Sequence, residues 1–306
     1  MKKYAPIIVV LFLLAIASYF LLFKDTIEPK KKTTFSFEEF NKNRSCASLP
    51  KFLLESGLRT SIIDLSQQKY KGIAFYTRNY QNVLHKKSWE RFDALGTYTI
   101  DKFGNLYLTP NPFISIKPST FNLQKAIYKM DSTTGKLTRW LVIDSISPSA
   151  TNPYGFISIV YDCDDDTLYA SAIDKSGYKG IKGRIYHINP KDKNYTIVVK
   201  NFDALTLNIL KTKNKKYLLA GSAIDSSLYA FEFKNGKLNP KPHLLFTLPN
   251  PKLHIRKVKI IAKNSLQIEA IKFSYSLIAE TNKKQRYIFI ATFNPTTKKW
   301  EIKEKN

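Results

Sequence analysis

The sequence predicts an all-β protein, a β-propeller of five blades preceded by an N-terminal transmembrane helix. Three observations carry the fold. Short runs rich in Tyr, Phe, Ile and Thr alternate with turn chemistry along a chain of 306 residues that is 13% aromatic. Residues 92–143 hold four such runs, LGTYTI, NLYLTP, AIYKMD and KLTRWLVI, with DKFG and STTG as tight hairpin turns. The order then recurs. Phe92-Asp93-Ala94-Leu95 returns as Phe202-Asp203-Ala204-Leu205, Ser171-Ala172-Ile173-Asp174 returns as Ser222-Ala223-Ile224-Asp225, and the third run returns as IYHIN, LYAFE and IATFN.

In chain order, residues 1–23 come first. Lys2 and Lys3 precede a run without charge from Pro6 to Phe23, long enough to span a bilayer as a helix. Ala15-Ile16-Ala17 offers a signal-peptidase site, but cleavage there would leave an apolar SYFLLF start, so an uncleaved anchor is preferred. The bulk of the chain is expected outside the cytoplasm, although Lys24, Lys30, Lys31 and Lys32 after the run argue for the opposite side. Residues 24–57 read as a polar spacer ending in a short helical clasp near Leu49–Leu58.

The propeller itself is expected over 58–306, with blades at 58–91, 92–143, 153–201, 202–247 and 253–306. The first is the least regular, with strand-like runs at 60–65 and 69–77 and VLHKKSWERF (83–92) as an outer strand. Propellers often close by pairing strands from the two chain ends, so an irregular terminal blade is expected. A sixth blade would need a further unit before residue 58, where there is little room. Trp89, Trp140 and Trp300 fall on outer strands, where packing between blades accounts for them.

The net charge of +25 suits a polyanionic partner such as anionic lipid or an anionic envelope polymer. No nucleic-acid partner is expected, because the lysines do not cluster with stacking aromatics. The plainer reading, lysines spread over solvated turns, carries more weight. Cys46 and Cys163 lack metal-site spacing. An exported chain could pair them, but two unpaired thiols are the expectation.

Asp101–Tyr107 (D-x-x-G-N-L-Y) and Ile127–Leu137 (I-Y-x-x-D-x-x-T-G-K-L) resemble blades of the NHL and SMP-30/gluconolactonase-like propellers. The resemblance is clearest in this one blade and implies the fold. Lactonase-like members hold a divalent cation with acidic and Asn side chains at the channel. None of those ligands can be placed on this sequence, so no cofactor or metal is assigned.

Loop lengths give the functional hint. First-to-second and third-to-fourth turns are short, whereas second-to-third loops cover 109–125, 171–183 and 272–285, with a shorter one at 222–227. The two sets lie on opposite faces, so one face is trimmed and lysine-rich and the other elaborated. On the elaborated face the candidate ligand-binding residues are Asn111, Phe113, Lys117, Phe121, Asp174, Tyr178, Lys179, Ser222 and Asp225. For any one of them a structural role, such as Asp174 or Asp225 capping a turn, is the stronger reading.

Asp93, Asp144 and Asp203 recur at one position of successive blades, which points to turn fixing. Asp162-Cys163-Asp164-Asp165-Asp166 lacks the glycine and glutamate of a calcium loop and reads as a solvated turn. The four histidines have no ligand spacing, and no nucleophile elbow, P-loop or dinucleotide motif occurs. The expectation is a membrane-anchored extracytoplasmic propeller that binds a ligand or protein partner through its long-loop face. The alternative is an SMP-30-like hydrolase or lactonase with a divalent cation in the channel.

Overall fold

A computed structural model describes residues 37–305, except 43–44, 60, 93, 113–119, 178 and 277–284. The apolar stretch at 1–23 therefore lies outside the described residues. Among those residues no helix is long and apolar enough to cross a membrane.

The chain forms a five-bladed β-propeller of five antiparallel sheets, each built from one contiguous stretch. Blade one has three strands, β1 (Ser61–Asp64), β2 (Ala74–Thr77) and β3 (Val83–Leu84). Blade two is β4 (Leu95–Ile100), β5 (Leu106–Pro110), β6 (Ala126–Met130) and β7 (Leu137–Val142). Blade three is β8 (Phe156–Asp162), β9 (Thr167–Ala172), β10 (Arg184–Ile188) and β11 (Tyr195–Lys200). Blade four is β12 (Ala204–Lys211), β13 (Lys216–Ser222), β14 (Ser227–Lys234) and β15 (Lys237–Thr247). Blade five is β16 (His254–Ala262), β17 (Ser265–Ile271), β18 (Tyr287–Asn294) and β19 (Lys299–Glu304).

Burial follows radius. The second strands β5 and β9 are sandwiched between neighbouring blades and buried at every residue, whereas the outer strands β11 and β19 are largely exposed. Apolar side chains fill the gaps between blades. Phe75 and Trp89 meet Leu106 and Tyr128, Tyr107 and Ile127 meet Ile159 and Leu168, and Tyr169 and Ile185 meet Leu207 and Phe231.

The inner strands pose a different problem, since each is a sheet edge with unpaired backbone groups. Polar side chains of the adjacent blade satisfy them. Thr97 Oγ1 donates to Ile157 O at 3.1 Å, Leu207 N donates to Ser158 Oγ at 2.9 Å, and Asn208 Nδ2 donates to Val258 O at 2.8 Å. These bonds link blades two to five around the axis, where β4 packs on β8, β8 on β12 and β12 on β16.

Four expectations are corrected. The outer strand read over 83–92 stops at Leu84, and Lys87–Phe92 forms a 3-10 turn. That turn buries Trp89 against Phe52 and Phe75 and lets its indole N–H donate to Gly135 O at 2.9 Å. Closure by strand exchange is also not what is found, since among the described residues no sheet mixes strands from the two chain ends.

The polar spacer is corrected from Phe37 onward. The described residues of 37–52 form a strap that crosses the short-turn face and touches the turns of four blades. Phe37 and Phe40 are buried, Phe37 against Tyr217, Phe293 and Trp300. Phe40 N donates to Asn264 Oδ1 at 2.8 Å, and Asn264 N returns to Phe40 O at 2.9 Å. Further along, Ser48 N donates to Asp101 O at 3.2 Å, and within the expected clasp helix α1 (Lys51–Glu55), which leads into blade one, Phe52 N donates to Ser132 O at 3.0 Å.

Between those fixed points the strap brings Cys46 to the β8–β9 turn. There it is disulfide-bonded to Cys163, with Cα atoms 6.0 Å apart, so the thiols expected to be free are paired.

Asn264 is the strap's polar clamp, and it sits at φ +54°, a conformation Asn tolerates better than Ala. Asn264→Ala leaves the Phe40 N–H without its acceptor. It is expected to lower the unfolding free energy by about 2–3 kcal/mol, read as a drop in urea midpoint at unchanged m-value. Asn264→Asp, which keeps the acceptor, should recover most of the loss.

Candidate functional site

The inner strands run from the long-loop face to the short-turn face, and all four inner strands of blades two to five are bulged near their starts. The register breaks between Leu95 and Tyr98, Phe156 and Ser158, Ala204 and Thr206, and Ile255 and Lys257. A bulge leaves one residue out of the ladder and re-aims it. The displaced residues are Ile157 in blade three, Leu205 in blade four and Arg256 in blade five. Ile157 and Leu205 are buried, and Arg256 is half-buried.

Arg256 reaches across to blade four, where Nη1 donates to Leu205 O at 2.9 Å. Burial pulls its basicity below the ordinary guanidinium value, opposed by the nearby Tyr154 and Glu269. Ile157 and Leu205 pack with Tyr154, Ile173 and Ala223, and Phe273 and Tyr275 lie against this cluster. The rings form a chain, with Tyr154 to Phe273 at 5.4 Å and Phe273 to Tyr275 at 5.2 Å between centroids. The long-loop end of these strands therefore carries a largely buried aromatic and aliphatic cluster with the Arg256 guanidinium close to it.

Buried acids hold the loops around this cluster. Asp203 accepts from Ser176 Oγ and Gly183 N, both at 2.7 Å, and from the Tyr275 hydroxyl. Burial pushes its carboxyl up while those three donors pull it back down. Position 183 has to be glycine because a Cβ would lie 2.1 Å from Asp203 Oδ1. Asp174 is fully buried, paired with Arg184 at 2.5 Å and accepting from Ser147 N at 3.0 Å. Asn152 Nδ2 adds bonds to Ile173 O and Ser176 O at 2.7 and 2.9 Å.

The residues singled out in the sequence are scattered around this arrangement. Asn111 and Lys179 are exposed on long loops, and Phe121 is half-buried. Phe113, Lys117 and Tyr178 lie outside the described residues. Asp174 ties one loop to its neighbour. Ser222 Oγ accepts from Ile224 N and Asp225 N, and Asp225 accepts from Ser227 N at 3.0 Å and the Tyr229 hydroxyl at 2.9 Å. Both cap their own turn. Asp203 ties three segments together, while Asp144 is exposed. Arg256, Tyr154, Phe273 and Tyr275 were missed. The signal for them was asymmetry: of the inner strands, only β16 carries an arginine near its start.

The acidic turn 162–166 corrects the solvated reading. Asp162 is fully buried and paired with Lys216, Asp164 binds Lys211 and Lys216, and Asp166 binds Lys102 at 2.5 Å. One hairpin of blade three is thereby tied to blades two and four.

Among the described residues no group of three or more His, Cys, Asp or Glu is gathered to hold a metal ion. Glu269 and Arg286, paired with each other at 3.4 Å, lie within electrostatic reach of Arg256, and the acids Asp174 and Asp203 are engaged with protein donors.

No protein-family model matches the chain, and no curated protein sequence matches it. Among solved structures, Kuenenia stuttgartiensis hydrazine synthase is similar over 90% of this chain and 68% of that one, at 10% identity and TM-score 0.47. The endo-arabinase of Bacteroides thetaiotaomicron is similar over 70% of this chain and 80% of its own, at 16% identity and TM-score 0.41. The PQQ-bound aldose sugar dehydrogenase of Streptomyces coelicolor is similar over 80% of this chain and 99% of its own, at 11% identity and TM-score 0.33.

Proposed function

We propose that the chain is a membrane-anchored, extracytoplasmic propeller that binds a ligand or partner protein through its long-loop face. The observation that carries the binding reading is the guanidinium of Arg256, at a bulge where blades three and four carry Ile157 and Leu205, close to the aromatic chain from Tyr154 to Tyr275. A repeated structural role would put the same residue at each bulge, whereas recognition needs one blade to differ. The compartment reading is supported by the Cys46–Cys163 disulfide, a bond that persists in oxidising surroundings. It is also supported by the uncharged run from Pro6 to Phe23.

Two measurements test the two halves. In intact cells, a membrane-impermeant maleimide should label Lys179→Cys on the exposed loop; labelling only after lysis would place the domain inside. For binding, sugars, sugar acids, amino acids and short acidic peptides are titrated against the wild type and Arg256→Met. A true ligand of this face should bind the variant about tenfold more weakly. A ligand indifferent to Arg256, or a panel with no binder at millimolar concentrations, counts against the site.

A further inference from the structure

The opposite end of the same channel holds a second feature. A cleft of ≈ 640 Å³ opens on the short-turn side, lined by the inner strands of three blades and by Ser45 and Cys163. That volume lies in the ordinary range of small-molecule sites. Its walls are Val160, Ile209 and Ile260, and its polar groups include Asn208, Lys211 and Lys259. No carboxylate is among its lining residues.

The two lysines differ. Lys211 is engaged with Asp164 across the blade three–four boundary, so its charge is largely answered within the protein. Lys259 is exposed on β16, and among the described residues no carboxylate stands within ion-pair distance of it. Asn208, also on the lining, donates its Nδ2 to Val258 O at 2.8 Å, which fixes the amide. The rim is fixed covalently, because Ser45 precedes the disulfide-bonded Cys46 and Cys163 itself lines the cleft.

From this we infer that the short-turn end of the channel is a second binding site, one that takes a small organic carboxylate with an aliphatic body. The carboxylate would sit at Lys259 in a charge-assisted hydrogen bond, and the body would lie along Val160, Ile209 and Ile260. This site is separate from the long-loop face, so neither reading depends on the other.

The test uses the full chain in lipid nanodiscs, with Ile and Val methyl groups labelled for NMR. Hexanoate is the probe, hexanamide its uncharged isostere, and acetate the same charge without the body. Hexanoate is expected to shift the methyl signals of Val160, Ile209 and Ile260 saturably, with hexanamide and acetate each about tenfold weaker. Lys259→Met is expected to bring hexanoate down to the hexanamide level with the unliganded spectrum little changed, since Lys259 is exposed. Equal binding of hexanoate and hexanamide, an unaltered affinity in Lys259→Met, or shifts confined to other methyl groups would each overturn the assignment.

Discussion

Replacing Cys46 and Cys163 together by alanine should lower the unfolding free energy by about 4 kcal/mol and the melting temperature by about 10 °C. The two cysteines are 117 residues apart in sequence. Fixing so long a loop removes a large share of the unfolded chain's freedom, and the chain-entropy estimate for this length is about 5 kcal/mol. Part of that is offset because the strap retains independent contacts on either side of Cys46, at Phe40 with Asn264 and at Ser48 with Asp101.

The effect should also be local. Without the bond, the strap between those two contacts becomes the preferred site of limited proteolysis, while the strands of blades three and four stay protected. Reductant added to the wild type should reproduce both results. A melting temperature that falls by less than about 3 °C would mean that the strap holds without its covalent link.

The strap also marks where reading the sequence reached its limit. The hairpins were legible because DKFG and STTG are local signals, and the five units followed from their spacing. Loop lengths separated short turns from long loops, but gave no sign of the strap that crosses the short-turn face. Phe37 and Phe40 were not legible, because TFSFEEF has the charge of a linker, and its buried rings are recognised only by Tyr217, Phe293 and Trp300 far along the chain. Once Cys46 was read as part of a spacer, nothing placed it beside Cys163.

Arg256 was hidden for a different reason. In HIRKVKI the alternation of basic residues reads as a solvated strand face, and a bulge shifts the pattern by one residue without any mark in composition. Trp89 failed similarly: its flanking residues suit an outer strand, and only the distant Gly135 carbonyl and the Phe52 and Phe75 rings explain the turn that buries it.

Lys216→Met should be among the most damaging single substitutions in the domain, at about 3–5 kcal/mol near neutral pH. Asp162 is fully buried, and the ammonium of Lys216 is its counter-ion. Burial would lower the Lys216 ammonium's pKa, but its contacts with Asp162 and Asp164 raise it overall; burial likewise pushes the Asp162 carboxyl up against the pull of Lys216. Methionine keeps the stem beside Phe233 but leaves the acid alone with the Asp164 backbone N–H at 3.2 Å.

The sign of the pH dependence follows from Asp162. With its folded pKa raised above the unfolded value, the carboxyl disfavours the folded state once pH exceeds the unfolded pKa. That penalty fades as pH falls back through the raised folded pKa. The gap between variant and wild type should therefore narrow as pH is lowered from neutral into the acid range in urea titrations. The wild-type pair behaves oppositely at the alkaline end: Lys216's contribution is complete below the unfolded lysine pKa and disappears as pH rises through the raised folded one.

Adding Asp162→Asn to Lys216→Met removes the stranded charge and should recover about half or more of the loss, because a buried ion pair owes much of its apparent strength to the cost of breaking it one-sidedly. A single variant within about 1 kcal/mol of wild type, or a double variant no more stable than the single, would show that Asp162 reaches water or another partner. The tie between blades three and four would then rest on the exposed Asp164–Lys211 pair and on packing alone.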